Sequence, residues 1–543
     1  MLRPPYSFLF RYDSHLFIKE LSEKTERVHH CRAMAINSQK FRTLEINSIL
    51  FLDSCSFLGD SLAKLTNTLK VSKHDFGILS QWQPDADRRE LLTRKGVYPY
   101  SFATSKERLA ETTSLPGIGH FYNDLEEEEC SREDYEHAGK VFEEFGCRNM
   151  LEYTLLYLRT DVYLLAEAVT NLRSMVFDEF KLDICNYLSL PMLSKDLMLK
   201  MTGVEIDLIC DPEMSNLVQR NIRGGVSYIN CRLAVERSGF SIVYLDANNL
   251  YGKAMTYPLP LRGFRWMSEE EISDMKENWA QLLHDRDGDG YILEVTLRYP
   301  KSLHVEHNSY PLAPEHLRVT EDMLSPYAKK CLQETSGKTR HRSDKLTATF
   351  NDREKYLVHG LNLKLYLEQG LELVEVHRGI VFYQEAFVKP YIDMCSKKRA
   401  EAPTKSMKDL YKLLCNSLYG KFIENIMKRM ECAFNKSERE AVIRNSSPLF
   451  QEFKILGESL SVSYMKKAEV KMTQSWAIGF AILELSKFVM QSSFYQHVKP
   501  RLDGGVSVLM SDTDSWVLHT KQDTPEETVD KLGEEFMDCS NYD

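Results

Sequence analysis

Twelve cysteines are scattered over 543 residues without one C-x-x-C pair, so neither a zinc ribbon nor a disulfide framework is indicated. That usage fits a reducing compartment, nucleus or cytoplasm. No apolar run approaches the roughly 20 residues needed to cross a bilayer, and no membrane partner is expected. The opening Met1-Leu2-Arg3-Pro4-Pro5-Tyr6 does not read as a signal peptide, because prolines interrupt any apolar core. Internal repeats and low-complexity segments are missing too. An excess of positive charge is also lacking. The net charge of -10 argues against a chain that wraps nucleic acid over its whole surface, but leaves room for a local basic channel.

What is present is ordinary in bulk and uneven in placement. Hydrophobic residues make up 43% and charged residues 27%, a soluble globular composition. The length predicts about three or four compact units. Residues 124–136, after the turn Pro116-Gly117-Ile118-Gly119, hold eight acids against one arginine and read as an exposed loop. Residues 385–430 hold ten lysines and arginines against five acids, and phosphate binding is to be sought there.

Residues 506–518 read as a hairpin, two apolar β-prone runs around the tip Ser511-Asp512-Thr513-Asp514-Ser515. Alternation would point Asp512 and Asp514 to one side, where like charges repel unless a cation or a proton intervenes. A hard divalent ion with oxygen ligands, Mg²⁺ first, resolves the conflict; a solvated turn is the alternative. Ser241-Ile242-Val243-Tyr244-Leu245-Asp246 reads as a strand ending in a further carboxylate, either a metal ligand or the cap of the helix that follows Asn249-Leu250-Tyr251-Gly252. In the basic region Lys412, Asn416 and Tyr419 fall at i, i+4 and i+7, one stripe of a helix whose Leu413, Leu414 and Leu418 pack away from it. Such a stripe can hold a phosphate, a polar edge and a base or sugar face; a plain amphipathic helix is the alternative.

Three further stretches carry weaker signals. Arg223-Gly224-Gly225 lets the backbone approach a phosphate chain, or is simply a turn. Asp285, Asp287 and Asp289 imitate half of a calcium loop, but Thr296 stands where the bidentate Glu belongs, so a polar turn into a strand is predicted. Residues 1–200 alternate strand-like and helix-like segments, with a strand at 49–52 and a long helix from 150 to 172. There Asp13 opens an amphipathic segment, as a helix cap would. Tyr157 and Asp161 lie one helical turn apart, where a carboxylate could hold an ion and a phenol orient its water. Three carboxylates and a phosphate-binding lysine are the components of two-metal phosphoryl or nucleotidyl transfer.

In this order and spacing the motifs resemble those of the family B DNA polymerases, within them the protein-primed branch of viruses, linear plasmids and Maverick/Polinton-type elements. Asp246 to Gly252 is similar to motif A (D-x-x-S-L-Y-P), with Asn249 for Ser and Gly252 for Pro. Lys412 to Gly420 is similar to motif B (K-x-x-x-N-S-x-Y-G), and Asp512 to Ser515 to motif C (D-T-D-S). The resemblance implies that Asp246 and Asp514 ligate two Mg²⁺ ions (Mn²⁺ being a substitute), with Asp512 alongside. It places Tyr251 under the deoxyribose, Lys412 and Arg399 on the incoming triphosphate, and Asn416 and Tyr419 at the nascent base pair. Arg223, Gly224 and Gly225 would meet the template strand. Ser61 and Leu62 open a stretch similar to the motif that holds single-stranded DNA. Asp13, Tyr157 and Asp161 match parts of the proofreading exonuclease, but no D-x-E precedes Asp13 and Phe8 stands where an Asn is usual.

The implied fold is α/β and α+β, multidomain. Residues 1–200 would form a partial ribonuclease-H-like exonuclease domain and 201–235 a connector. A right-hand polymerase follows: palm with a first insertion at 236–382, fingers at 383–423, a second insertion at 424–472, and palm with motif C at 473–543. The K-x-Y motif and the thumb have no counterpart, so the chain reads as short at both ends of the family pattern. DNA template and primer, dNTPs and a terminal-protein primer are the implied partners, and proofreading is expected to be lost. A non-catalytic nucleic-acid-binding remnant is the competing reading. A reverse transcriptase also uses such carboxylates, but fits the Lys412 helix less well.

Overall fold

In the computed structural model the described residues are 6–7, 31–37, 40–47, 49–335, 344–457 and 460–538. They divide into two compact units rather than three or four, because the chain passes between units several times. One comprises residues 1–197, 395–414 and 425–470; the other comprises 198–394, 415–424 and 471–543. Counting domains from length assumes contiguous segments, and these are not contiguous.

The first unit is built on a seven-stranded sheet. Strands Tyr6–Ser7, Ile49–Leu52, Lys40–Ile46 and Cys31–Asn37 form one side of it. Met430–Asn435 then pairs antiparallel with Cys31–Asn37, and Ser461–Lys466 and Phe450–Ile455 complete the sheet. The stretch expected to form a separate second insertion therefore supplies three strands to a sheet begun near the N-terminus. Ala33, Leu44, Phe41, Val462 and Tyr464 make its apolar core.

The long helix of this unit runs Met150–Phe180. Asn149 caps it by accepting the Glu152 N–H. Its buried positions Met150, Tyr153, Tyr157, Thr160, Leu164, Ala168, Leu172 and Val176 recur every three or four residues, the spacing of one helical face. Lys181 ends it in the left-handed region with φ 55°.

The second unit holds two four-stranded sheets. One is Arg353–His359, Gly288–Arg298, Glu372–Glu385 and Leu259–Trp266. Gly288–Arg298 begins inside the calcium-loop lookalike, whose Asp287 carboxylate accepts the Ala386 N–H at 3.0 Å, so the turn-into-strand prediction holds. The other sheet runs Ser227–Ile229, Val506–Asp512, Ser515–Thr520, Ser241–Asp246, antiparallel throughout. Helix Trp476–Ser492 is apolar on nearly every side and buried along most of its length, as a central helix must be. Gly479 lets it approach the chain at Phe422: a Cβ there would lie 2.9 Å from the Phe422 carbonyl oxygen.

Candidate active site

The hairpin at 506–520 forms as expected, anchored in the core by Val508, Trp516 and Leu518. Its strands end at Asp512 and restart at Ser515, and these two residues pair across the turn. Thr513 takes φ 57°, the positive angle that a tight hairpin turn demands. Asp514 is thus a turn residue. Strand alternation does not reach it, so the turn and not the pleat sets the direction of Asp514.

Asp246 ends the neighbouring strand opposite Ser515. The Ala247 N–H donates to the Asp514 carbonyl at 2.7 Å, tying the strand end to the turn. Asp246 and Asp514 are consequently brought together. Partial burial lifts the Asp514 carboxyl above its ordinary range, with the Asp246 charge next and the Asp512 charge a lesser contributor.

Asp512 is held differently. Its Oδ1 accepts the Ser227 hydroxyl at 2.5 Å, and the two residues pair between adjacent strands. Among the described residues no three His, Cys, Asp or Glu side chains are arranged to hold a metal ion. Two hard carboxylates still suit Mg²⁺, which keeps several waters and takes one or two protein carboxylates beside substrate phosphates.

Tyr251 follows Asp246 on helix Leu250–Met255 and stacks on Tyr419, ring centroids 4.1 Å apart and 12° between planes. Burial, then Tyr419 and the Asp514 carboxylate, push its phenol up to about 12, so it stays protonated. Helix Lys405–Phe422 presents Lys412 and Asn416 exposed and Tyr419 half-buried, while Leu414 and Leu418 are buried, as the stripe predicted. Lys405 and Lys408 extend the stripe toward the helix start. Lys412 belongs to the first unit's span and Asn416 and Tyr419 to the second's. Arg399 is exposed on helix Lys389–Glu401.

The connector departs from expectation. Arg223, predicted at the template strand, is 4% exposed and spent inside the protein. It pairs with Glu484 at 3.1 Å, lies over the Tyr356 ring at 4.0 Å and donates to the Leu357 carbonyl. Lys487, also buried, pairs with Glu484 at 3.2 Å and donates to the Arg223 carbonyl at 3.0 Å. A guanidinium so engaged has no reach to a phosphate. Gly225 is a glycine for a reason other than DNA: a Cβ there would lie 2.4 Å from Thr513 Oγ1. The Thr513 N–H then donates to the Val226 carbonyl at 3.0 Å. Gly224 has open space around it. Segment 223–227 is therefore a splint for the carboxylate hairpin.

In the first unit Ser61 caps helix Leu62–Val71 and is exposed, with Leu62 half-buried. Tyr157 and Asp161 are brought together. Burial raises the Asp161 carboxyl, opposed by a hydrogen bond from Tyr157 and by the Lys95 charge. The Tyr157 hydroxyl also meets the Tyr100 hydroxyl at 2.6 Å, and its ring stacks on Tyr98 at 4.7 Å. Asp13 lies outside the described residues.

The sequence family described as DNA polymerase type B, organellar and viral, matches residues 6–494. The chain belongs to this family. No curated protein matches the chain. Among solved structures, Phi29 DNA polymerase complexed with primer-template DNA is similar with a TM-score of 0.55 and 13% identity, over 99% of this chain and 74% of that one. Its ternary complex with primer-template DNA and incoming nucleotides aligns with a TM-score of 0.52, 13% identity, and 95% and 72% coverage. Its complex with single-stranded DNA gives a TM-score of 0.52, 15% identity, and 95% and 71% coverage. At such identities the likeness establishes a shared mixed α/β multidomain fold. No helix among the described residues is long and apolar enough to cross a membrane.

Proposed function

We propose that this chain is a DNA-templated DNA polymerase that adds dNMP to a primer 3′-hydroxyl, with the second unit carrying the palm and helices Lys389–Glu401 and Lys405–Phe422 the fingers. The observation that carries the reading is the convergence of Asp246 and Asp514 where two antiparallel strands meet, with the Ala247 N–H tied to the Asp514 carbonyl at 2.7 Å. Bound there, divalent ions would neutralise charge on the attacking and leaving oxygens. Asp246 and Asp514 would hold them. Lys412 and Arg399 would attract the triphosphate as point charge and fork. Tyr251, protonated and packed on Tyr419, would form the floor under the sugar and crowd a 2′-hydroxyl.

The first unit is proposed to hold the exonuclease-like domain, with Tyr157 and Asp161 as its remnant, Ser61 and Leu62 near single-stranded DNA, and no effective proofreading. A terminal-protein primer is the proposed partner by family. Primer extension with Mg²⁺ is the deciding assay: wild type extends and Asp514→Asn does not, whereas equal incorporation by both would remove the metal assignment. Degradation of single-stranded DNA that is lost in Asp161→Ala would refute the absence of proofreading.

A further inference from the structure

The splint at 223–227 touches the carboxylate hairpin at three places, and each contact does something different. Gly225 abuts Thr513 where a Cβ would have 2.4 Å, so the backbone runs directly against the turn. The Val226 carbonyl accepts the Thr513 N–H at 3.0 Å and fixes the turn's height on the sheet. Ser227 alone reaches a carboxylate: its hydroxyl donates to Asp512 Oδ1 at 2.5 Å. Asp512 is exposed, so nothing in the core fixes its rotamer. The hydrogen bond to a charged acceptor is the strong kind and orients it.

We propose that Ser227 is a positioning residue that keeps Asp512 turned out of the Asp246–Asp514 pair, so that a divalent ion meets two carboxylates and not three. Three observations converge on this. Ser227 and Asp512 pair between adjacent strands, so the sheet register sets the two side chains next to each other. The carboxylate is exposed and otherwise free to turn. In register, Asp512 pairs with Ser515 and Ser515 with Asp246, so a whole strand separates Asp512 from Asp246 while Ser227 is its immediate neighbour on the other side. A third anionic ligand would bind the ion more tightly and leave fewer positions for water and substrate phosphates. Holding Asp512 aside keeps those positions open.

The inference rests on the polymerase reading of the same carboxylates, and it is tested by Mn²⁺ binding followed by electron paramagnetic resonance on the full chain. Ser227→Ala releases Asp512, and Mn²⁺ affinity rises roughly threefold to tenfold as ligand charge increases. Ser227→Thr keeps the hydroxyl and the wild-type affinity. Ser227→Ala with Asp512→Asn returns to the wild-type value, and Asp512→Asn alone changes affinity less than about twofold. In parallel, Mg²⁺-supported extension by Ser227→Ala slows about tenfold, while primer-template affinity is unchanged.

A splint that merely supported the fold would predict weaker ion binding in Ser227→Ala. Equal or weaker binding there overturns the proposal, as does a tenfold loss in Asp512→Asn alone, which stands even if the alanine variant fails to fold. If Asp514→Asn abolishes Mn²⁺ binding while Ser227→Ala matches wild type, the positioning role falls and the polymerase reading stands. If Asp514→Asn binds Mn²⁺ like wild type, the reading beneath falls and takes the inference with it.

Discussion

Asn249 folds its side chain over Gly252. Its Oδ1 accepts the Gly252 N–H at 3.2 Å, and a Cβ on Gly252 would lie 2.0 Å from Asn249 Nδ2. These are the two positions at which motif A departs from the family pattern. They are one change: proline at 252 would bring both a missing N–H and atoms where the amide already sits. Asn also tolerates the left-handed φ of 54° that position 249 adopts. Asn249 Nδ2 further donates to Cys415 Sγ at 3.1 Å, which ties the cap to the motif B helix.

The pair should therefore behave non-additively. Gly252→Pro alone is expected to destabilise the chain by about 1–3 kcal/mol, the cost of overpacking a tight site. It should also cut incorporation, because Tyr251 precedes it directly. The double change Asn249→Ser with Gly252→Pro recovers most of both losses, as read by denaturant unfolding and primer extension.

A second non-additive pair lies at the splint. Gly225→Ala places a methyl against Thr513 and displaces the turn that carries Asp514, so extension falls at least tenfold. Thr513→Gly removes the obstructing side chain and suits the φ of 57°, so the double variant regains activity. Single-turnover incorporation would show whether the turn or another part of the chain is at fault.

Acid sensitivity follows from two buried imidazoles. His359 is pushed down to about 4 from an ordinary 6.5 by burial. His307 is likewise pushed down to about 4 by burial, its Nδ1 2.8 Å from the Tyr299 hydroxyl. The folded-state values are depressed, so between about 6.5 and about 4 the unfolded chain holds protons that the folded chain does not. Stability is thus full above about 6.5 and is lost as the pH falls through that window. His359→Asn keeps an acceptor for the Leu361 N–H at the cap of helix Gly360–Glu368. It should flatten the decline in melting temperature between pH 7 and pH 5, whereas an unchanged slope would place the sensitivity elsewhere.

The Arg223–Glu484–Lys487 set separates stability from function. Glu484→Gln leaves two buried cations facing each other and is expected to cost about 3–5 kcal/mol. Replacing all three by apolar residues of similar volume should recover much of that loss, because a buried ion set is often no more stable than well-packed hydrophobes. The recovered fold should still extend primers poorly, since Lys487 would no longer hold the Arg223 carbonyl beside the splint. Equal extension by the triple variant and wild type would show the cluster to be packing only.

The sequence was most legible where chemistry and periodicity coincide locally. The hairpin, the strand ending in Asp246 and the Lys412 stripe were each readable from a dozen neighbouring residues, and each is found. What escaped was contact across long separations. Ser227 and Asp512 are 285 residues apart, and no local pattern distinguishes that serine from any other after a turn. Arg223 looked available for phosphate because arginines are rarely buried unpaired. Its partner Glu484 sits in a mostly apolar helix, and Lys487 of the same helix lies 264 residues from Arg223 in sequence. Asp514 was legible as a residue but not as a turn position, since the strand that alternation assumes stops at Asp512.

The seven-stranded sheet joins partners that leave the ribosome far apart in time. Ala33 opposes Cys432, so about 400 residues must be synthesised before the edge at Cys31–Asn37 finds its neighbour. Until then its N–H and C=O groups are an open template for any other extended chain. Long-range pairing of this kind is slow and exposed to aggregation. A recombinant piece ending near residue 200 would carry that edge permanently, and its insolubility would report a missing strand rather than an unstable domain. Supplying residues 425–470 in trans is then the remedy that the topology itself suggests.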